Sequence, residues 1–173
     1  LQGYVLTGRH GLLVSYEAFA QIVASMTDQY AKFLKIARQV PWRGTIASLN
    51  YILTSTGWRQ EHNGFSHQNP GFIDGVLQRQ SDFTNVYFPA DANLALAAFA
   101  RMMDSEREIN VMVCEKRPLP IWRTAMEAKR DIDMGIAIWD FATDSDPHMV
   151  YASAGDYPTQ ETLAAISIVR REI

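Results

Sequence analysis

Short β-rich apolar runs alternate with helical stretches from one end of the chain to the other. Strands separated by helices rejoin their sheet in parallel, so the order predicts an α/β domain built on a mostly parallel sheet flanked by helices. GLLV at residues 11–14 opens the series. Ser15 stands where a helix cap belongs, and Phe19, Val23, Met26, Tyr30, Phe33 and Ala37 then recur at helical spacing until Pro41 ends the helix. TIASLNYILTS, NVYFPA, INVMVC and IAIWDF read as further strands. Among them lie a short helix from Phe72, a helix capped by Asp91 that runs to Met103, and a short helix over residues 124–133. MVYASAGDYPTQETLAAISIVRREI reads as a strand and helix opening a second unit, which divides the chain into residues 1–146 and 147–173.

A chain of 173 residues has room for one ordinary domain and the beginning of another. Its 47% hydrophobic and 20% charged residues are those of a globular protein, and no apolar run approaches the roughly 20 residues needed to cross a bilayer. A net charge of −3 supplies no dense basic face, which argues against nucleic acid as a partner. Cys114 is the only cysteine, so no internal disulfide can form, and a reducing cytoplasm is the expected location. The chain starts at Leu1 without methionine and stops at Ile173 inside a helical pattern, which predicts a piece of a longer polypeptide.

Residues 57–71 carry glycine, asparagine, histidine and proline with no periodicity, the composition of a long loop, and such loops in compact domains tend to be functional. Within WRQEHNGFSHQNPGF, residues 58–72, lie Arg59, Gln60, His62, Asn63 and His67. Two histidines in one loop can exchange protons near neutral pH, and they can equally serve as hydrogen-bonding loop residues. His62 and His67 lie five apart without a third ligand at metal-site spacing, so no metal ligand is assigned.

The segments GYVLTGRHG, SYEAF, PWRGTIASLNYILTSTGWRQEHNGFSHQNPGFIDGV, VYFPADAN, INVMVCEKRPLPIW and SAGDYPTQETLAA, in this order, resemble the xylulose 5-phosphate/fructose 6-phosphate phosphoketolases. NGFSHQ is also similar to the motif of transketolases in their pyrimidine-binding domain. The resemblance implies the central pyrimidine-binding domain of a thiamine diphosphate enzyme of transketolase-like fold. It implies cleavage of xylulose 5-phosphate, fructose 6-phosphate or both, with inorganic phosphate taking the two-carbon unit to give acetyl phosphate and an aldose phosphate. Thiamine diphosphate and magnesium are the implied cofactors, and a homodimer or higher homo-oligomer is the implied assembly.

Carried onto this chain, the resemblance assigns Tyr16 and Phe19 to the aminopyrimidine ring of the cofactor, where a flat apolar surface with a hydroxyl is useful. Phe19 also begins the apolar stripe of its helix, so a plain core role stands beside that one. His67, His62 and Asn63 resemble the residues that bind the sugar hydroxyls and move protons, and Gln60, Lys116 and Arg43 those that meet phosphate. Glu17, a carboxylate beside Tyr16, is not taken as the acid that activates the cofactor; that glutamate and the metal ligands are expected to lie outside this segment. Cys114 and Glu115 stand where small residues are expected before Lys116, and Ile121 where glutamine is expected before Trp122. Two other readings stay open: transketolase-like transfer of two carbons to an aldose, and an α/β binding module without catalysis.

Overall fold

The computed structural model describes residues 1–54, 71–79 and 82–172. After a short helix α1 (Gln2–Val5), the strands β1 (Leu12–Tyr16), β2 (Leu49–Thr54), β3 (Thr84–Tyr87) and β4 (Ile109–Val113) form a parallel sheet in the order β1-β2-β4-β3. Helices α2 (Glu17–Ala20) and α3 (Ala24–Ala37) follow β1, α4 (Gly71–Gln78) precedes β3, and α5 (Ala92–Asp104) links β3 to β4. Helices α6 (Ala125–Met134) and α7 (Asp156–Glu172) complete the described elements. The α/β class expected from the alternation is therefore the observed one. No described helix is long and apolar enough to cross a membrane.

Side-chain alternation along the strands sorts the core into two layers. Leu49, Tyr51 and Leu53 of β2 and Ile109, Val111 and Val113 of β4 bury one face with Tyr30 and Leu34 of α3 and Phe72 and Val76 of α4. On the opposite face Met112 packs with Ala98 and Met102 of α5, and Leu94 of α5 meets Ala128 of α6 behind it. The second face also buries polar groups. Asn110, fully buried, donates to Asn50 Oδ1 at 2.9 Å and lies 2.8 Å from Ser105 Oγ, while Asn85 donates to Asn110 Oδ1 at 3.0 Å. Asn50 and Asn85 are the register partners of Asn110 on the neighbouring strands. An amide row thus crosses β2, β4 and β3 near their amino ends.

Ser15 does not cap a helix: β1 runs through it to Tyr16, and the helix starts at Glu17. That helix is not continuous either. A 3-10 turn at Gln21–Val23 separates α2 from α3 and, with three residues per turn, shifts the phase of the apolar face. The buried side of α3 is Thr27, Tyr30, Ala31, Leu34 and Ala37; of the expected stripe Tyr30 and Ala37 are thus buried and Val23 and Phe33 pack against the core, whereas Phe19 and Met26 are 46% and 55% exposed. IAIWDF is not a strand: Ile136 and Ile138 are exposed, and a 3-10 turn occupies Asp140–Ala142. Residues 149–154 likewise form no strand, although the helix read after them is α7. The remaining expected elements fall where local chemistry put them. Asp91 caps α5 by accepting the Leu94 N–H at 2.8 Å, and α6 begins with a capping box between Thr124 and Glu127 and ends at Gly135, whose φ of 80° suits glycine.

Removing the central amide tests the polar row. Asn110→Ala leaves the buried Asn50 Oδ1 without its donor and is expected to cost about 2–3 kcal/mol, measured as a lowered denaturation midpoint at unchanged slope.

Candidate functional site at the carboxyl ends of the strands

In an open parallel sheet, ligands collect outside the carboxyl ends of the strands, because the loops there leave a crevice. Three chain segments meet at that end. β1 ends at Tyr16, whose register partner on β2 is Thr54, the last residue described before the His-rich segment. β4 runs on from Val113 to Cys114, whose N–H donates to Leu53 O at 3.0 Å, and so delivers Glu115 and Lys116 to the same place.

Lys116 is the basic member of this group. Its Nζ donates to Tyr16 Oη at 3.2 Å and stands 4.3 Å from the centre of the Tyr16 ring. Tyr16 stacks on Phe19 with ring centroids 6.0 Å apart and planes 28° apart, within the range favoured by aromatic pairs. The two rings are 37% and 46% exposed, so they offer an open aromatic surface beside a cation. Glu17 is buried at the first turn of α2, immediately after Tyr16.

The segment behind Lys116 is held by carboxylates. Asp156, buried at the start of α7, accepts the Glu115 N–H on Oδ2 at 2.8 Å. Glu115 Oε1 accepts the Lys116 N–H at 2.7 Å, while its Oε2 is buried without a hydrogen-bond partner. Burial, reinforced by the Asp156 and Glu115 carboxylates, pushes the Cys114 thiol up to about 11. That cysteine is therefore a neutral thiol at physiological pH and an unreactive one.

Tyr16, Phe19 and Lys116 are thus brought together, although 100 positions separate Tyr16 from Lys116. Arg43 is not brought to them. It precedes β2, its guanidinium lies 4.8 Å over the Phe33 ring, and its carbonyl accepts from Arg107, which precedes β4. It stands at the amino ends of the strands. His62, Asn63, His67 and Gln60 lie outside the described residues. Sequence reasoning missed Asp156 and the second role of Asp91, whose Oδ2 accepts the N–H groups of Trp122 and Arg123 at 2.7 and 2.8 Å. An aspartate at a helix start signals a cap; nothing local signals the distant backbone it also holds.

As to a cofactor, the open Tyr16–Phe19 pair fits one face of a flat heteroaromatic ring, and Lys116 fits an anionic group beside it. Among the described residues no three His, Cys, Asp or Glu side chains assemble as a metal site.

The family model described as D-xylulose 5-phosphate/D-fructose 6-phosphate phosphoketolase matches residues 1–105, and that described as the XFP C-terminal domain matches residues 116–173. β4 falls between the two matches. The chain is 51% identical over 176 residues to a probable phosphoketolase of Rhodopirellula baltica and 50% identical over 177 residues to one of Bradyrhizobium diazoefficiens. It is 48% identical over 176 residues to one of Brucella abortus. Each of these matches takes in 100% of this chain, which spans 22% of the length of each relative.

Exposure of Phe19 decides what its removal should do. A core phenylalanine costs about 3–5 kcal/mol on truncation, whereas Phe19→Ala is expected to cost less than about 1.5 kcal/mol in a denaturation experiment. For Cys114 the raised value predicts alkylation by iodoacetamide at pH 8 about 100-fold slower than for an ordinary thiol, followed by mass spectrometry. Because the folded value lies above the ordinary one of 9.0, the stability this thiol contributes is intact below that pH and is lost as pH rises toward about 11.

Proposed function

The chain belongs to the D-xylulose 5-phosphate/D-fructose 6-phosphate phosphoketolase family, and on that premise we propose that it is the central segment of a thiamine diphosphate-dependent phosphoketolase. The enzyme would cleave xylulose 5-phosphate, fructose 6-phosphate or both, with inorganic phosphate as acceptor, to acetyl phosphate and an aldose phosphate. The observation that carries the reading is the meeting of the Tyr16–Phe19 pair with Lys116 outside the carboxyl ends of β1 and β4. It sets a flat ring surface and a cation side by side, the two features that a ring-bearing cofactor and a phosphate co-substrate each need.

Tyr16 and Phe19 would hold the aminopyrimidine ring of thiamine diphosphate, with the Tyr16 hydroxyl fixed by the Lys116 ammonium. When bound, the cofactor supplies the carbanion chemistry, and the protein's side chains orient the substrate and move protons around it. Lys116 and Gln60 carry the phosphate assignment, since Arg43 stands at the other end of β2. His67, His62 and Asn63 are assigned to the sugar hydroxyls and to proton transfer. Magnesium ligands and the acid that activates the cofactor would come from beyond this segment, in an assembly of two or more copies.

The test is acetyl phosphate formation from xylulose 5-phosphate by the full reading frame that contains this segment, with thiamine diphosphate, magnesium and inorganic phosphate supplied. Phosphate-dependent product is the expected result. Two-carbon transfer to an aldose without phosphate would instead make the enzyme transketolase-like. In the same protein His67→Ala is expected to lower turnover by about 10²–10⁴-fold with folding retained, and near-normal turnover would remove the proton-transfer role.

A further inference from the structure

Lys116 sits on a strap, residues 115–123, whose two ends are fastened by buried aspartates from other parts of the chain. At the far end Asp91, which also caps α5, accepts the Trp122 and Arg123 N–H groups at 2.7 and 2.8 Å. Arg123 is itself buried and paired with Asp131 of α6 at 2.8 Å, so that end cannot drift without breaking a buried ion pair. At the near end Asp156 accepts the Glu115 N–H on Oδ2 at 2.8 Å and the Tyr157 N–H on Oδ1 at 2.7 Å. Pro118 and Pro120 limit the freedom of the chain between the two fastenings.

The near end matters most for the site, because the residue after Glu115 is Lys116. Asp156 is in turn held in place from the residue after β3: the Gly155 N–H donates to Phe88 O at 3.0 Å, and Gly155 adopts φ 91°, a conformation suited to glycine. The start of α7 is thus tied to the ends of both β3 and β4. Hydrogen bonds from N–H to a buried carboxylate are short and about twice as strong as neutral ones, so this contact can set a backbone position rather than follow it.

We propose that Asp156 is a positioning residue: through the Glu115 N–H it fixes the turn that presents the Lys116 ammonium to Tyr16, and so tunes the binding of inorganic phosphate. The proposal rests on the assignment of Lys116 to phosphate given above. A link of this kind makes the affinity for phosphate depend on how α7 is seated.

The test is a double-mutant cycle in the full-length enzyme, with inorganic phosphate as the varied substrate. Asp156→Asn keeps the side-chain shape but replaces one accepting oxygen with an amide that cannot accept. KM for phosphate is expected to rise about tenfold, the scale of one weakened charge-assisted hydrogen bond, with a several-fold smaller change in kcat. In a Lys116→Met background the same substitution is expected to change nothing further. An equal effect in both backgrounds, or an unchanged KM in folded Asp156→Asn enzyme, overturns the proposal. Should Asp156→Asn not fold, Asp156→Ser, which keeps a side-chain oxygen at the first position of α7, is measured in its place, and failure of both to fold makes the residue structural only and also overturns it. If Lys116→Met alone leaves KM for phosphate unchanged, the assignment of Lys116 to phosphate is wrong and the inference falls with it, an outcome distinct from the others.

Discussion

The amide row of Asn50, Asn110 and Asn85 is the contact on which the rest of the sheet depends. Each amide is useful to its neighbour only in one register, because a slip by one residue turns every side chain of a strand to the opposite face. A slipped β4 would drive Asn110 into the apolar layer under α3 and α4 and take its amide away from Asn50 and Asn85. A buried polar group without a partner is more expensive than a hydrogen bond is favourable, so the row acts chiefly by excluding wrong alignments. The row is closed at the C-terminal end of α5, where Ser105 Oγ lies 2.8 Å from both Asn110 Nδ2 and Ser48 Oγ.

Register at the amino ends decides what meets at the carboxyl ends. With Leu53 opposite Val113 and Tyr16 opposite Thr54, the last residues of β1, β2 and β4 lie abreast. The aromatic pair, the entrance to the His-rich segment and the turn bearing Lys116 therefore share one edge of the sheet. The electrostatics there are mixed by design of the turn: two carboxylates stand behind Lys116, bonding to backbone N–H groups while the ammonium reaches forward to Tyr16. The same carboxylates, with burial, keep Cys114 protonated, so no thiolate competes for Lys116.

Much of the architecture was legible in the residues, and the failures have physical causes. Asp91, Thr124 and the β-rich runs of β2 and β4 announce their elements because caps and period are local properties. Of the stripe from Phe19 to Ala37, Tyr30 and Ala37 are buried and Val23 and Phe33 pack against the core, whereas Phe19 and Met26 are exposed on either side of the 3-10 turn at Gln21–Val23, which no residue in it specifies. IAIWDF has the composition of a strand but no described strand pairs with it; Trp139 packs instead with α5 and α6, and Phe141 stacks with Trp122 at 6.4 Å. For the site, Tyr16, Phe19 and Lys116 were suggested by motif, while Asp156 was not, since its partner lies 41 positions away in the turn after β4.

The sequence by itself determined the order of the elements, the parallel α/β class and the family, because period, capping and motif are all written in neighbouring residues. The tertiary structure alone decided where the helix after β1 breaks, which β-rich runs became strands, and that Arg43 and Lys116 lie at opposite ends of the sheet. Those outcomes depend on strand register and on buried hydrogen bonds between distant segments, and neither exists until the chain has closed on itself.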